Sequence, residues 1–203
     1  PISKILDFDA ETFIEFYKNH GLLRFRDRPK WKTIDGGSKT YINKILSDFD
    51  GKLYLSSPVS RVSREDGIIK LECLENKFSF DHVVFAIQPK NIIKILDSTT
   101  DIETKILDIF KSEDNDCYLH SDVSLMPKRK RSWSSWNYIS NDKMDYKNKK
   151  VFVSYWLNKL QNINVRKNLF LSLNPSCKPE AEKIYSKFNY LHPIFNTNTI
   201  QAQ

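Results

Sequence analysis

Glycine and cysteine are scarce in this chain of 203 residues, and their spacing excludes several kinds of site. The five glycines form no Gly-x-Gly-x-x-Gly turn, the motif that holds a dinucleotide pyrophosphate at the start of a helix. The three cysteines, Cys73, Cys117 and Cys177, are odd in number and far apart, which argues against a disulfide framework and against zinc. We therefore predict no metal site, buried thiols at Cys73 and Cys117, and a reducing, cytoplasmic location.

Long apolar runs are also missing. No stretch approaches the roughly 20 apolar residues that a membrane-spanning helix needs. Apolar residues nevertheless make up 40% of the chain and aromatic residues 13%, which favours a folded core over disorder. A chain of this length fits one or two domains.

The net charge is +7, and the basic residues are scattered except in two runs at residues 128–131 and 147–150. Such a bias permits binding to nucleic acid or to an acidic lipid surface. Scattered lysines are a poor indication of a partner, so no nucleic-acid partner is predicted. The first run is expected to be an exposed loop, and peripheral contact with an anionic membrane surface is the alternative.

A Gly-Gly turn opens the central part of the chain. Gly36 and Gly37 precede residues 40–46, where apolar residues recur at helical spacing. The first amide N–H groups of a helix lack internal partners, so such a turn can bind an anion. A simple turn before a surface helix is the alternative. Trp31 lies close by and is expected to pack over a ligand or over the sheet.

Short strands follow this turn. Residues 59–64 alternate as a strand does, residues 65–67 form a turn, and residues 68–72 return. The next reversal is predicted at residues 76–77. Residues 83–87 are apolar at every position, which predicts a strand buried on both faces.

Helical periodicity covers two further stretches. Residues 2–21 predict one helix with Asp9 as its cap and Gly21 at its end. Residues 91–111 predict two helices, because residues 97–101 break the apolar pattern and supply an N-cap.

The last part of the chain predicts an antiparallel sheet. Short apolar or aromatic runs separated by polar loops cover residues 117–120, 133–139, 150–156 and 168–173. A short helix is predicted at residues 180–187.

The order of four segments resembles the middle of flavin-containing amine oxidases and phytoene-desaturase-like proteins. The segments are the Gly-Gly turn with its helix, the strand at Ser57-Pro58-Val59, the meander and the run at residues 81–89. The chain is most similar to bacterial proteins described as NAD/FAD-binding and amine-oxidase-like, and the resemblance covers essentially its whole length. Further matches lie at residues 28–31, 120–122, 132–138, 155–161 and 190–193. The family's Gly-x-Gly-x-x-Gly turn and its C-terminal flavin segment are missing. The chain is therefore expected to be an internal fragment, inactive alone, of a longer oxidoreductase.

The resemblance implies an α/β (α+β) fold with FAD as cofactor. Residues 1–31 would be a substrate-domain helix and crossover. Residues 32–90 would be the central part of a Rossmann-like FAD-binding domain with its β-meander. Residues 91–203 would form a substrate-binding domain of helices followed by an antiparallel sheet.

The resemblance also implies cofactor contacts. The family places an adenosine contact on backbone that corresponds to Val59, and backbone N–H and C=O groups can read an adenine edge whatever the side chain. Gly36 and Gly37 are the next candidates. A structural role for all three residues is the alternative.

In this family the antiparallel sheet floors the substrate cavity and faces the flavin ring. Trp136 and Tyr138 share strand parity, so they point to one face, which would line a cavity or pack in a core. Three aromatic residues are cavity candidates: Trp136, Tyr138 and Trp156.

Flavin chemistry needs no protein nucleophile, because the flavin ring takes the hydride. His120 and Asp122 lie two residues apart and could shuttle a proton, or form an ordinary hydrogen bond. They are weak catalytic candidates, as is Asn137. No lysine corresponds to the flavin-side lysine of better-known amine oxidases.

The predicted function is hydride transfer between FAD and an apolar or amine substrate, a small molecule or a lipid. Desaturation, isomerisation or reduction of an unsaturated lipid fits as well as amine oxidation does. The alternatives are a non-catalytic binding module that has lost its cofactor and a basic binder of lipid surfaces. The oligomeric state is not predicted.

Overall fold

The computed structural model describes residues 9–30, 32–140, 151–194 and 196–202. Trp31, the first seven residues of the predicted N-terminal helix and the basic run at 147–150 therefore lie outside the described residues. The fold is mixed α/β with two antiparallel sheets. The elements, in chain order, are α1 (Ala10–Asn19), α2 (Ser38–Ser47), β1 (Val59–Glu65), β2 (Ile68–Cys73), β3 (Asn76–Phe80), α3 (Pro89–Ile95), α4 (Asp101–Ile109), β4 (Ser112–His120), β5 (Trp136–Ser140), β6 (Val151–Trp156), α5 (Leu157–Leu160), β7 (Phe170–Leu173), β8 (Ile184–Pro193) and α6 (Thr197–Gln201).

The chain divides into two compact units. The first combines Pro1–Phe49 with Glu113–His192, and the second combines Asp50–Ser112 with Pro193–Gln203. The domain boundaries given by the resemblance remain a prediction. Within the described ranges, no helix is both long and apolar enough to cross a bilayer.

In the first unit, α1 begins and ends at the predicted signals. The Asp9 carboxylate accepts the N–H of Thr12 at 2.9 Å, which satisfies one of the free donors of the first turn. The helix ends where Gly21 takes a φ of +63° and donates its N–H to the carbonyl of Lys18 at 3.0 Å. The predicted cap and stop are confirmed.

The second unit contains the three-stranded meander, in the order β1-β2-β3. The turn between β1 and β2 is at Asp66 and Gly67, which both have positive φ as a two-residue hairpin requires, so the predicted turn is confirmed. The predicted reversal at residues 76–77 is wrong by two residues. Cys73 pairs with Asn76, so the turn falls on the two residues between them.

The predicted buried strand at residues 83–87 is also wrong. These residues form no strand, and Val84 is 90% exposed. A strand exists only where a neighbouring backbone supplies hydrogen-bond partners, and no segment among the described residues pairs with this one. The detailed Rossmann-like assignment accordingly remains a prediction.

Two helices with a break between them follow, as predicted. Thr100 caps α4 in a capping box with Glu103. Arg64 on β1 donates to Glu103 at 2.7 Å, and with the Thr100 N–H it lowers the pKa of Glu103 to about 2. Arg61 reaches Asp97 at 2.7 Å, so two ion pairs join β1 to the helical segment.

The first unit contains the five-stranded sheet, in the order β5-β6-β7-β4-β8. The pairs β5–β6, β6–β7 and β7–β4 are antiparallel, which confirms the predicted sheet. The helix predicted at residues 180–187 is wrong. A single turn at 181–183 leads directly into β8, where half-buried Ile184 and Ser186 alternate with exposed residues in the period of a strand.

Candidate functional site

The candidate site is one face of the five-stranded sheet. Residues opposite each other in neighbouring strands point to the same side, so the register defines two rows across β4, β7, β6 and β5. We call this surface the open face. Its first row consists of Cys117, Leu173, Val153 and Tyr138, and its second row consists of Leu119, Leu171, Tyr155 and Trp136.

The open face is apolar at one end and aromatic at the other. Trp136 is 51% exposed and Tyr138 is 63% exposed, whereas Val153 and Cys117 are buried. The predicted shared direction of Trp136 and Tyr138 is confirmed by the register. Large aromatic side chains exposed beside aliphatic ones favour contact with an apolar molecule.

Tyr155 adds a polar group to this surface. Its ring meets that of Trp136 edge to face, with 5.6 Å between the centroids. Burial raises the pKa of Tyr155, and the nearby Tyr138 and Cys117 act in the same direction. The hydroxyl therefore stays neutral at physiological pH and can both donate and accept a hydrogen bond.

Trp156, the third cavity candidate, does not share this surface. It pairs with Phe170 on the opposite side of the sheet, which we call the buried face. Its ring lies edge to face with that of Trp133 at 5.3 Å. The structure therefore brings Trp136 and Tyr138 together and separates Trp156 from them.

Asn137 also points to the buried face. Its amide nitrogen donates to the carbonyls of Ser134 at 2.7 Å and Ser154 at 3.1 Å, and its oxygen accepts the N–H of Ser134 at 2.9 Å. Both ends of the amide are thus used to fix the start of β5. The arrangement holds the strand that presents Trp136 and Tyr138.

His120 is fully buried and lies in a chain of hydrogen bonds across the sheet. Its Nδ1 accepts the backbone N–H of Asp122 at 3.1 Å, so a neutral ring carries its proton on Nε2 and donates to Ser172 at 2.8 Å. Ser172 in turn donates to Ser154 at 2.6 Å, and Ser154 donates to the carbonyl of Leu125 at 3.1 Å. Each hydroxyl therefore donates once and accepts once.

This network selects the neutral imidazole. Burial lowers the pKa of His120, and the charge of Asp122 opposes that shift. A second ring proton would point at the N–H of Asp122, so proton uptake by His120 requires this bond to break.

Asp122 does not bond to the imidazole through its side chain. Its carboxylate accepts the N–H groups of Ser124 and Glu180, both at 2.9 Å. Burial acts to raise the pKa of Asp122, but these hydrogen bonds hold it below its ordinary value. His120 and Asp122 are therefore neighbours joined through the backbone, and their catalytic role remains a prediction.

Gly36 and Gly37 lie at the start of α2, also in the first unit. Both have positive φ, +82° and +78°, and Gly37 is the N-cap without any side-chain cap. An open cavity of about 250 Å³ lies beside this turn, lined among others by Lys32, Ser38 and Tyr41. An ammonium, a hydroxyl and first-turn N–H groups are a donor set suited to an anion.

Val59, the third cofactor candidate, lies in the second unit. It is the first residue of β1, an edge strand of the meander, and a bulge separates its pairing with Cys73 from the rest of the ladder. Edge strands and bulges leave backbone donors and acceptors available.

Sequence reasoning missed Ser154 and Ser172, and it placed Tyr155 in the aromatic cluster of these strands without choosing it as a cavity candidate. The signal for Ser154 was present, since it is a small polar residue in β6, a strand otherwise made of aliphatic and aromatic residues. Its partners come from distant strands, so the network itself follows only from the register. Among the described residues, no group of histidine, cysteine or acidic side chains is placed to hold a metal ion.

Comparison with solved structures agrees with the fold. A CLA-producing fatty acid isomerase from P. acnes matches 96% of this chain and 46% of its own length, with a TM-score of 0.58 and 12% identity. A candidate protoporphyrinogen oxidase from Exiguobacterium sp. 255-15 matches 95% of this chain and 49% of its own, with a TM-score of 0.57 and 11% identity. This chain thus spans about half the length of these proteins. No protein-family model and no curated protein matches the sequence.

Proposed function

We propose that the protein is an FAD-dependent oxidoreductase whose substrate cavity has the open face as its floor. One observation carries the proposal: an exposed aromatic surface lies on a sheet whose fold is shared with a fatty acid isomerase and a candidate oxidase. The resemblance of the motifs to flavin-containing amine oxidases supports the choice of cofactor. The activity is proposed for the whole protein, because this chain spans about half the length of the solved structures that it matches.

The residues around the start of α2 fit the anionic part of FAD. Lys32 and Ser38 line the cavity there, and a Cβ built on Gly37 would meet no atom within 4 Å, so a ligand can approach the backbone closely. The backbone of Val59 is the proposed adenosine contact. When bound, FAD supplies a ring that accepts or donates hydride.

The chain's own residues bind and orient the substrate in this proposal. Trp136 and Tyr138 cover an apolar chain and exclude water from it. The neutral hydroxyl of Tyr155 orients a polar end by hydrogen bonding. Asn137 and the His120 network act as positioning groups, because they hold the strands from the opposite side of the sheet.

An apolar substrate is favoured over an amine. The two rows of the open face contain no carboxylate that would pair with an ammonium group, and most of their members are aliphatic or aromatic. Isomerisation or desaturation of an unsaturated chain therefore ranks above amine oxidation.

Flavin absorption of the purified protein tests the proposal. This chain and the product of the whole reading frame that contains it, called the extended version, would be purified with FAD supplied. We expect the extended version to retain flavin. With an unsaturated fatty acid, desaturation would transfer hydride to the oxidised flavin and bleach it, whereas isomerisation would leave the flavin spectrum unchanged and yield a fatty acid with a shifted double bond. An extended version that is colourless but still binds an apolar probe would instead identify a binding module without a cofactor.

A charge placed at the Gly-Gly turn gives a sharper version of this test. Gly37→Asp should reduce flavin retention, whereas Gly37→Asn, which has nearly the same shape, should reduce it less. Gly67→Asp is the matched control, because Gly67 has the same φ of +78° and equally open surroundings. Equal retention in all three variants would show that no phosphate lies at this turn.

A further inference from the structure

The four consecutive cations at residues 128–131 form an exposed surface on the first unit. We call it the basic turn. It precedes Trp133, whose ring packs on Phe170 at 5.5 Å between centroids and on Trp156 at 5.3 Å. Both of these residues belong to the buried face, so the basic turn lies on the side of the sheet opposite the open face.

The basic turn is held in a defined shape. The Trp133 indole donates to the carbonyl of Pro127 at 2.7 Å, and the Ser132 hydroxyl donates to the carbonyl of Arg129 at 2.7 Å. The Ser132 N–H reaches the same Arg129 carbonyl at 2.9 Å. Because these bonds close the loop at both ends, the four charges are presented without an ordering cost for the backbone.

These charges are not neutralised within the described part of the chain. No ion pair there involves residues 128–131, whereas cations such as Arg61, Arg64 and Lys187 have acidic partners. Lys130 lies 5.8 Å from the centre of the Trp133 ring, a contact that retains its charge. Four like charges side by side repel one another, and a dense anionic surface would relieve that repulsion.

We propose that the basic turn binds an anionic lipid surface. An apolar side chain accompanies it, since Val123, in the short helical turn that leads into the same loop, is 51% exposed. A single-stranded nucleic acid would need an aromatic platform for its bases, but the aromatic residue of this loop, Trp133, faces inward and its N–H is already bonded. Charge with a small apolar anchor and no stacking surface suits a membrane.

Binding in this orientation would place the protein where apolar substrates accumulate. This consequence depends on the proposed function, but the lipid contact itself does not. Lipid binding and flavin binding can therefore be tested independently. A variant that no longer binds vesicles should still retain flavin, and a variant that no longer retains flavin should still bind vesicles.

Vesicle sedimentation tests the proposal. The full chain would be mixed with phosphatidylcholine vesicles, with and without about 30% phosphatidylserine, at low and at high salt. We expect binding to the anionic vesicles alone, weakened by salt. Replacing the four residues together, as Lys128→Gln, Arg129→Gln, Lys130→Gln and Arg131→Gln, should lower the partition coefficient at least about tenfold, since each basic residue near such a surface contributes measurably.

The matched control removes the same charge elsewhere. Four exposed cations outside the described ion pairs are replaced by glutamine in one variant: Lys18, Arg26, Lys52 and Lys105. This variant should keep most of its binding. Circular dichroism checks that both variants fold, and two double variants, 128–129 and 130–131, should each show a partial loss.

Four outcomes would overturn the proposal. They are no binding by the unaltered chain, equal binding to neutral vesicles, an equal loss in the control variant, and tighter binding of a DNA oligonucleotide through the same four residues. The third would show that net charge alone is responsible, and the last would make nucleic acid the partner.

Discussion

His120 shows how a residue with obvious chemistry is used at the scale of single side chains. A histidine two residues from an aspartate suggests a proton shuttle, yet the carboxylate turns to two backbone N–H groups and the imidazole turns to Ser172. The spacing of residues 120 and 122 was visible in the sequence. The directions of their side chains were not, because they depend on β7 and on the backbone before Ala181.

The His120 network makes stability dependent on pH. In the folded chain the pKa of His120 is lowered chiefly by burial, while Asp122, itself 4.0 Å from Lys183, partly opposes the shift. In the unfolded chain the His120 imidazole takes up a proton near its ordinary pKa of 6.5, and in the folded chain it does so only at lower pH. The contribution of neutral His120 to the free energy of unfolding is therefore fully present above pH 6.5. It is lost as the pH falls below that value, and the free energy of unfolding changes by at most about 1.4 kcal/mol per pH unit.

Urea unfolding between about pH 8 and about pH 5 measures this slope. His120→Gln should flatten it, and His82→Gln, which alters an exposed histidine of the other unit, should leave it unchanged. An unaltered slope in His120→Gln would mean that another group titrates in this range.

The exposed aromatic pair should matter for binding more than for stability. In Trp136→Ala/Tyr138→Ala, affinity for an apolar fluorescent probe should fall about tenfold, because two large contact surfaces are lost. The midpoint of urea unfolding should change little, since both side chains are more than half exposed. Phe25→Ala, at a 96% exposed residue outside the sheet, is the control and should bind the probe normally.

At the scale of elements, local signals were accurate at most turns and caps that nearby residues complete, although the reversal predicted at residues 76–77 falls on residues 74–75. Asp9 and Thr100 cap the helices that they precede, and Asp66 with Gly67 closes a hairpin. The larger errors lie in segments whose secondary structure depends on hydrogen bonding to a distant part of the chain. Residues 83–87 lack neighbouring strands among the described residues, and residues 184–187 join β8 because the sheet offers them an edge.

Two glycines of the first unit allow backbone strain to be separated from steric overlap. Gly37→Ala should cost about 1–3 kcal/mol, since its φ of +78° with a ψ of −173° is a backbone conformation that only glycine adopts readily, while the added Cβ meets nothing within 4 Å. Gly21→Ala has a similar φ but would place the Cβ 2.6 Å from the ring of Pro29, so it should cost clearly more. Urea unfolding of both variants checks the order, and equal losses would show that the Pro29 segment moves aside.

The molecule as a whole contains two units built from interleaved parts of the chain. The second unit consists of the meander, α3 and α4 together with the last residues of the chain. It is therefore formed by two segments that are far apart in the sequence. A buried cysteine lies in each unit, Cys73 in the second and Cys117 in the first, and Cys177 is exposed. The buried positions predicted for Cys73 and Cys117 are confirmed.

Thiol labelling should report the folding of both units. In the native chain one thiol, Cys177, should react rapidly with a disulfide reagent, and in guanidinium chloride all three should react. Burial also raises the pKa of Cys117, which slows its reaction further. Cys177→Ser should abolish the fast phase. Rapid labelling of Cys73 in this variant would show that the second unit is open in solution.

By itself, the sequence determined the helices α1 to α4 with the caps of α1 and α4, the first hairpin, the antiparallel sheet and the shared face of Trp136 and Tyr138. These features depend on residue periodicity and on short-range backbone geometry, which neighbouring residues encode. The tertiary structure alone decided that Trp156 lies on the other side of the sheet, that His120 donates to a buried serine, and that residues 83–87 pair with no strand in the part of the chain that the structure describes. Each of these results depends on which distant segment supplies the partner, and strand register is set by the packing of the whole sheet.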